Sequence, residues 1–215
     1  MIVNEVITGL IAIAIAYLLG SINSAYIVTR LVTRKDIRQL GGGNAGGRNV
    51  FREVGFRAAV PVAIFDIGKG AASVVIAHWL LNVPLFEMNI FILLAGIAAV
   101  AGHMWSIYLK FTGGNGLAAT IGVLALLLPW SLLIAFAIMF ILTLITRNPV
   151  LSLNIGLLST PISSGILEKS WMPVAFSIVL IIIIVLNFVS TARAALGAAG
   201  SKQNLFNQLL RRNTR

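Results

Sequence analysis

Seven apolar runs dominate this sequence, at about 5–28, 59–81, 88–110, 116–128, 130–146, 150–167 and 172–189. Runs of roughly 20 apolar residues match the thickness of a bilayer's hydrocarbon, where only helices and closed barrels satisfy their own backbone. The expectation is an all-α integral membrane protein with about seven transmembrane helices. The fourth run, roughly thirteen residues long, is short for a full crossing, and is tilted, partly interfacial or continuous with its neighbour. A chain with 59% hydrophobic and only 10% charged residues leaves no room for a separate soluble domain. Residues 1–190 therefore read as one polytopic membrane domain and 191–215 as a basic cytoplasmic tail.

The net charge of +10 is distributed by side. Arg30, Arg34, Lys35, Arg38, Arg48, Arg52 and Arg57 follow the first run; Arg193, Lys202, Arg211, Arg212 and Arg215 follow the last. Lys110 and Arg147 lie in the loops after runs three and five, whereas Glu5, Glu87, Glu168 and the single Lys169 fall on the other side. Lys and Arg accumulate in cytoplasmic loops, so the N-terminus is expected outside and the C-terminus in the cytoplasm of a prokaryotic cell. Topology and anionic headgroups account for the basic excess, and no nucleic-acid partner is implied. The first run has no basic flank and no small-residue cleavage pattern, and reads as a retained span. Trp79, Trp130 and Trp171 fall near the outer boundary, Trp105 and Tyr108 near the inner one, as interfacial aromatics do. With no cysteine and two histidines, His78 and His103, neither a thiolate nucleophile nor a metal centre is expected, and no cofactor.

The polar residues gather at the cytoplasmic level. The loop Asp36–Arg52 sets Arg38, Arg48 and Arg52 among Gly41, Gly42, Gly43, Gly46 and Gly47, with Asn44 and Asn49. Glycine leaves N–H groups free to curve around an anion, and arginine supplies a planar fork for phosphate or carboxylate. A flexible loop whose arginines only set topology is the other reading. In the second run Asp66 and Lys69 stand three apart, neighbours on one helix face, where intramembrane charges are presumed functional. A self-neutralising pair that pins helix packing is the structural alternative. The third run presents Gly102-His103 near its inner end, and a second glycine turn, Gly113-Gly114-Asn115-Gly116, leads into the fourth. Free N–H groups at such a helix start suit an anion. Together with Gly20-Ser21-Ile22-Asn23-Ser24, these clusters suggest a site open to cytosolic phosphate compounds and, from the side, to lipid.

In order and spacing these pieces resemble the bacterial acyl-phosphate:glycerol-3-phosphate acyltransferase family (the PlsY type). The matching residues are Gly20-Ser21-Ile22, Asp36-Ile37-Arg38, Gly41–Asn44, Asn49 and Arg52, Asp66, Lys69-Gly70, Gly102-His103-Met104 and Gly113-Gly114. Departures are Gly42 for a serine, Arg48 for a threonine, Asn115 for a lysine and Ser106 for a proline. Near Asn187, Val189 and Ser190 the family's C-terminal His, Glu and Asn are missing. The resemblance implies transfer of an acyl chain from acyl phosphate to the 1-hydroxyl of glycerol 3-phosphate, giving lysophosphatidic acid at the cytoplasmic face of the plasma membrane. For such a reaction the residue chemistry gives catalytic roles to His103, Lys69 and Arg52, with the hydroxyl proton taken either by His103 or by the acceptor's own phosphate. Substrate and phosphate binding would fall to Ser21, Arg38, Gly41, Gly43, Asn44, Gly46, Arg48, Asn49, Asp66, Gly113, Gly114, Asn115 and Gly116. A relative that binds phospholipid precursors or a partner enzyme without turnover is the alternative. A proton-coupled carrier would need more intramembrane carboxylates than Asp66.

Overall fold

The computed structural model describes residues 2–85 and 87–199, and every described regular element is a helix. Helices α1 (Ile2–Ser21) and α2 (Ser24–Thr33) form one broken span. The break falls where the apolar run meets Asn23, whose side-chain oxygen accepts from the Tyr26 amide at 2.7 Å and restarts the helix. A short helix α3 (Gly47–Glu53) precedes α4 (Phe56–Leu81), and α5 (Ile90–Met104) follows an Asn89 cap. Next come α6 (Leu117–Leu127), α7 (Pro129–Thr146), α8 (Pro149–Leu157), α9 (Thr160–Glu168) and α10 (Trp171–Ala199).

Among the described residues, five helical stretches are long and apolar enough to cross a bilayer, and the α8–α9 pair, bent by 41°, makes up to six. The fourth apolar run differs from the expected crossing. Pro129 opens α7 at its first turn and ends α6 after eleven residues. At 1.5 Å per residue α6 is roughly 16 Å long, about half the hydrocarbon thickness. It is nevertheless well buried, with Ala119, Thr120, Gly122, Val123, Leu124 and Leu127 inside the bundle. The last helix also runs past 190 to Ala199, and the remaining tail lies outside the described residues.

Small residues set the helix spacing. On α5 a Cβ at Gly102 would strike the Tyr17 carbonyl of α1, and one at Gly20 would strike the Ala99 carbonyl in return. Gly70 on α4 meets the Ala119 carbonyl of α6 in the same way, and Gly122 meets that of Ile67. Association inside lipid relies on such close backbone approach because apolar burial alone offers little there. The main core is Ala12, Ala16, Ala77, Ala95, Ala99, Val100, Val123, Leu124 and Leu128, with Phe176 and Leu180 of α10 against it. Trp79, Trp130 and Trp171 stay exposed at the ends of α4, α7 and α10.

The glycine-rich loop has a core of its own. Ile37, Ala45 and Val50 are buried with Ala25 of α2, Val62 of α4 and Leu109. Removing Ile37 and Val50 from water contributes roughly 1.5–3 kcal/mol each. This loop is a packed cap on the bundle, in contrast to a topological spacer.

Candidate active site

Asp66 is the hub of the polar end. Its Oδ1 accepts from Ser24 Oγ at 2.9 Å and from Lys69 Nζ at 2.8 Å, and His103 Nδ1 lies 3.5 Å away. The last distance is an ion-pair separation without hydrogen-bond geometry, and His103 Nδ1 has no hydrogen-bond partner among the described residues. Lys69 Nζ also donates to the Ile22 carbonyl at 2.7 Å, an oxygen released by the break between α1 and α2. The neighbouring Ser21 carbonyl accepts from Ser106 Oγ at 2.6 Å. The broken helix thus supplies acceptors that a continuous one would hold in its own ladder.

The two glycine turns close on this hub. The Ala45 amide donates to the Gly113 carbonyl at 3.2 Å, and Asn44 Nδ2 donates to Asn115 Oδ1. Asn23 Nδ2 holds the Ala45 carbonyl at 3.0 Å. The second turn is folded onto the end of α5, where the Gly114 amide donates to the His103 carbonyl at 3.0 Å and Gly114 leaves room for the His103 ring. From α10, Asn187 Nδ2 donates to the Gly114 carbonyl at 3.2 Å. Between the turns is a cavity of about 240 Å³ lined by Asn44, Gly46, Gly47, Arg48, Ala59, Ala63, Asp66, His103, Asn115, Gly116, Leu117, Ala118 and Val150. The first turn of α6 opens on it, bringing N–H groups that the helix cannot satisfy itself.

Residues 10–196 match the family described as Glycerol-3-phosphate acyltransferase. A protein named glycerol-3-phosphate acyltransferase 1 from Dehalococcoides mccartyi is 41% identical over 199 residues, covering 90% of this chain and 94% of that one. A glycerol-3-phosphate acyltransferase from Thermoanaerobacter pseudethanolicus is 37% identical over 188 residues, covering 87% and 92%. This chain belongs to the glycerol-3-phosphate acyltransferase family. Among solved structures, the integral membrane acyltransferase PlsY (YgiH) in its glycerol 3-phosphate form superposes with a TM-score of 0.76 at 26% identity, over 88% of this chain and 92% of that chain. Its lysophosphatidic acid form gives 0.74 at 25% identity, with the same coverage.

Within this acyltransferase chain the expected site residues divide into groups. Asn44, Gly46, Arg48, Asp66, His103, Asn115 and Gly116 line the cavity. Lys69 reaches it through Asp66, and Ser21 is buried behind it at the helix break. Gly113 and Gly114 shape the second turn. Gly41 and Gly43 lie at positive φ in an exposed bend. Asn49 is committed to that bend: its Nδ2 donates to the carbonyls of Ile37 and Leu40, and its Oδ1 accepts from the Gly42 amide. Arg38 is committed too. It grips Asp36 with Nη2 at 2.6 Å, donates to the Leu109 carbonyl and Thr112 Oγ1, and rests over the Tyr26 ring. The Arg38 fork holds the Asp36 carboxyl below its ordinary pKa, and Asp36 raises that of Arg38. Arg52 is exposed on α3, one turn after Arg48, and does not line the cavity. Burial and the charge of Arg52 lower the pKa of Arg48, which stays cationic.

Three contributors were not assigned as site residues from sequence. Ser24 shows only as the end of the polar run Ser21–Ser24. Ser106 and Asn187 stand where the family pattern has other residues, so they read as losses; in the structure both donate to carbonyls that shape the site.

Proposed function

We propose that this chain transfers an acyl group from acyl phosphate to the 1-hydroxyl of glycerol 3-phosphate, forming lysophosphatidic acid. The observation that carries this reading is the closure of two glycine turns, 71 positions apart at Asn44 and Asn115, over the Asp66–His103 pair. Acyl phosphate is already activated, so a covalent enzyme intermediate is unnecessary. The site must bind two phosphates, aim one hydroxyl at the carbonyl carbon, and stabilise the oxyanion and the departing phosphate. Amides of the two turns, the first turn of α6 and the cations near them suit the anionic groups. Asn44 and Asn115 offer amides for orienting the acceptor. The hydroxyl proton has two receivers at hand: His103, with Asp66 beside its Nδ1, and the acceptor's own phosphate.

The proposed setting is the plasma membrane of a prokaryote, with the N-terminus outside and the C-terminus cytoplasmic. Counting α6 as a partial crossing and α8–α9 as a bent one gives seven traverses, and the cavity then faces the cytoplasm. The asymmetry of basic loops supports this orientation. In lipid vesicles, the purified protein is expected to form lysophosphatidic acid from palmitoyl phosphate and glycerol 3-phosphate. Absence of product with any acyl phosphate and any phosphorylated polyol acceptor would overturn the proposal.

A further inference from the structure

The cavity between the glycine turns has a neighbour that shares part of its lining. A second cavity of about 390 Å³ lies between α8 and α10, walled by apolar residues such as Ile155, Ile181, Ile184 and Val185. The two share Arg48 and Val150 as lining residues. Asn148 and Asn154 also line the second one, but both bond within α8: Asn148 Oδ1 accepts from Leu151, and Asn154 donates to Val150. Two further lining residues, Leu158 just past the end of α8 and Phe188 on α10, are exposed, at 54% and 67%, as apolar surface on a span that meets lipid would be. The space is therefore polar at one end, apolar along its length and open to the bilayer.

Only an amphiphile with an anionic head and a hydrocarbon tail matches that sequence of surfaces, and its head must lie where the linings change. Arg48 stands at that point. Among the described residues lining either cavity it is the one permanent cation, and no hydrogen bond or ion pair occupies its guanidinium. The rival cations are placed differently. Lys69 is held by Asp66 and Ile22, Arg38 by Asp36 and the Leu109 carbonyl, and Arg52 lines neither cavity. Glycerol 3-phosphate has no tail and suits the hydrogen-bonding end at Asn44, Asn115, Asp66 and His103.

We infer that Arg48 seats the phosphate of the acyl donor at the junction of the two cavities, with the tail between α8 and α10 and the acceptor on the Asp66–His103 side. This deepens the proposed acyl transfer and rests on it. Arg48 is then a positioning residue that separates the donor's seat from the acceptor's. With the head at Arg48 and the tail between α8 and α10, the scissile carbonyl, which lies between head and tail, is held just on the tail side of the junction, where the acceptor hydroxyl approaches it from the polar end and the phosphate departs on Arg48.

The test is steady-state kinetics in vesicles with palmitoyl and octanoyl phosphate as donors. Arg48→Gln should raise the KM for both donors by roughly 10–100-fold, the loss of one charge-assisted contact. The KM for glycerol 3-phosphate should stay within about twofold, and Arg48→Lys should recover part of the donor affinity. Ile155→Trp, which narrows the apolar cavity, should raise the KM for palmitoyl phosphate far more than for octanoyl phosphate. Thermal unfolding of each variant verifies that it folds, and Arg48 is exposed enough that folding does not depend on it. An unchanged donor KM in Arg48→Gln, or an equal rise in the glycerol 3-phosphate KM, overturns the inference. If the wild type itself forms no lysophosphatidic acid, the acyl-transfer reading fails instead, so the two failures are distinct.

Discussion

Lys69 places its ammonium 2.7 Å from the Ile22 carbonyl, bridging the middle of α4 to the break between α1 and α2, while holding Asp66 at 2.8 Å. Both side chains are almost fully buried, so neither charge is screened by water. Removing one partner of such a pair costs about 3–5 kcal/mol because the other is left uncompensated, whereas removing both is far milder. Lys69→Met is therefore expected to lower the unfolding temperature sharply and to reduce acyl transfer. The double variant Lys69→Met with Asp66→Asn should recover much of the stability but little of the activity. Recovery of both would mean that the pair only pins the fold, which thermal unfolding and product formation on the same samples would reveal.

His103 separates the two possible proton receivers. A side-chain general base contributes about 10²–10⁴-fold to rate. His103→Ala is expected to lower kcat by about a hundredfold or more, with the KM for glycerol 3-phosphate changed much less. A decrease below about tenfold would assign the proton to the acceptor's phosphate.

Asp36 ties the glycine-rich loop to Arg38, and through Arg38 to the Leu109 carbonyl beside the second turn. The Arg38 side chain holds the Asp36 carboxyl below its usual pKa. A carboxyl with a depressed folded-state pKa stabilises the fold fully above its unfolded value of about 3.9, and loses that contribution as pH falls through the lower folded value. Asp36→Asn should thus lower the unfolding temperature at pH 6 to 7, and the gap from wild type should shrink below about pH 4. A gap that persists or widens on acidification would contradict the loop clamp.

Much of the fold is legible in the order and length of the apolar runs. The apolar runs at 59–81, 130–146 and 172–189 correspond to α4, α7 and α10, because long hydrophobic stretches leave few alternatives in a bilayer. The three-residue spacing sets Asp66 and Lys69 on one helix face within reach of each other, and in the structure they pair. The two glycine turns were expected at one level, and the Ala45–Gly113 and Asn44–Asn115 bonds join them. Less legible were contacts that follow no periodicity. Nothing in the spacing links Ser24 to Asp66, or Asn187 to Gly114, since each bond depends on how separate helices pack. Asn49 suited a substrate amide from its place in the loop, yet it is spent on the loop's own carbonyls. Arg38 is likewise absorbed by Asp36. The short α6 was ambiguous because an apolar run shows length and polarity, whereas the Leu128–Pro129 break decides where the helix stops.

If acyl transfer takes place in the cavity between the glycine turns, filling that cavity must stop it. Ala118 lines that cavity in the first turn of α6 and is only partly buried, so a larger side chain can point into the space without entering the core. The most direct measurement is the rate of lysophosphatidic acid formation from palmitoyl phosphate and glycerol 3-phosphate by Ala118→Trp, beside wild type in the same vesicles. Blocking the reacting groups is expected to slow product formation by at least about a hundredfold, with the unfolding temperature preserved. A folded Ala118→Trp protein that works within about twofold of the wild-type rate would place the chemistry elsewhere.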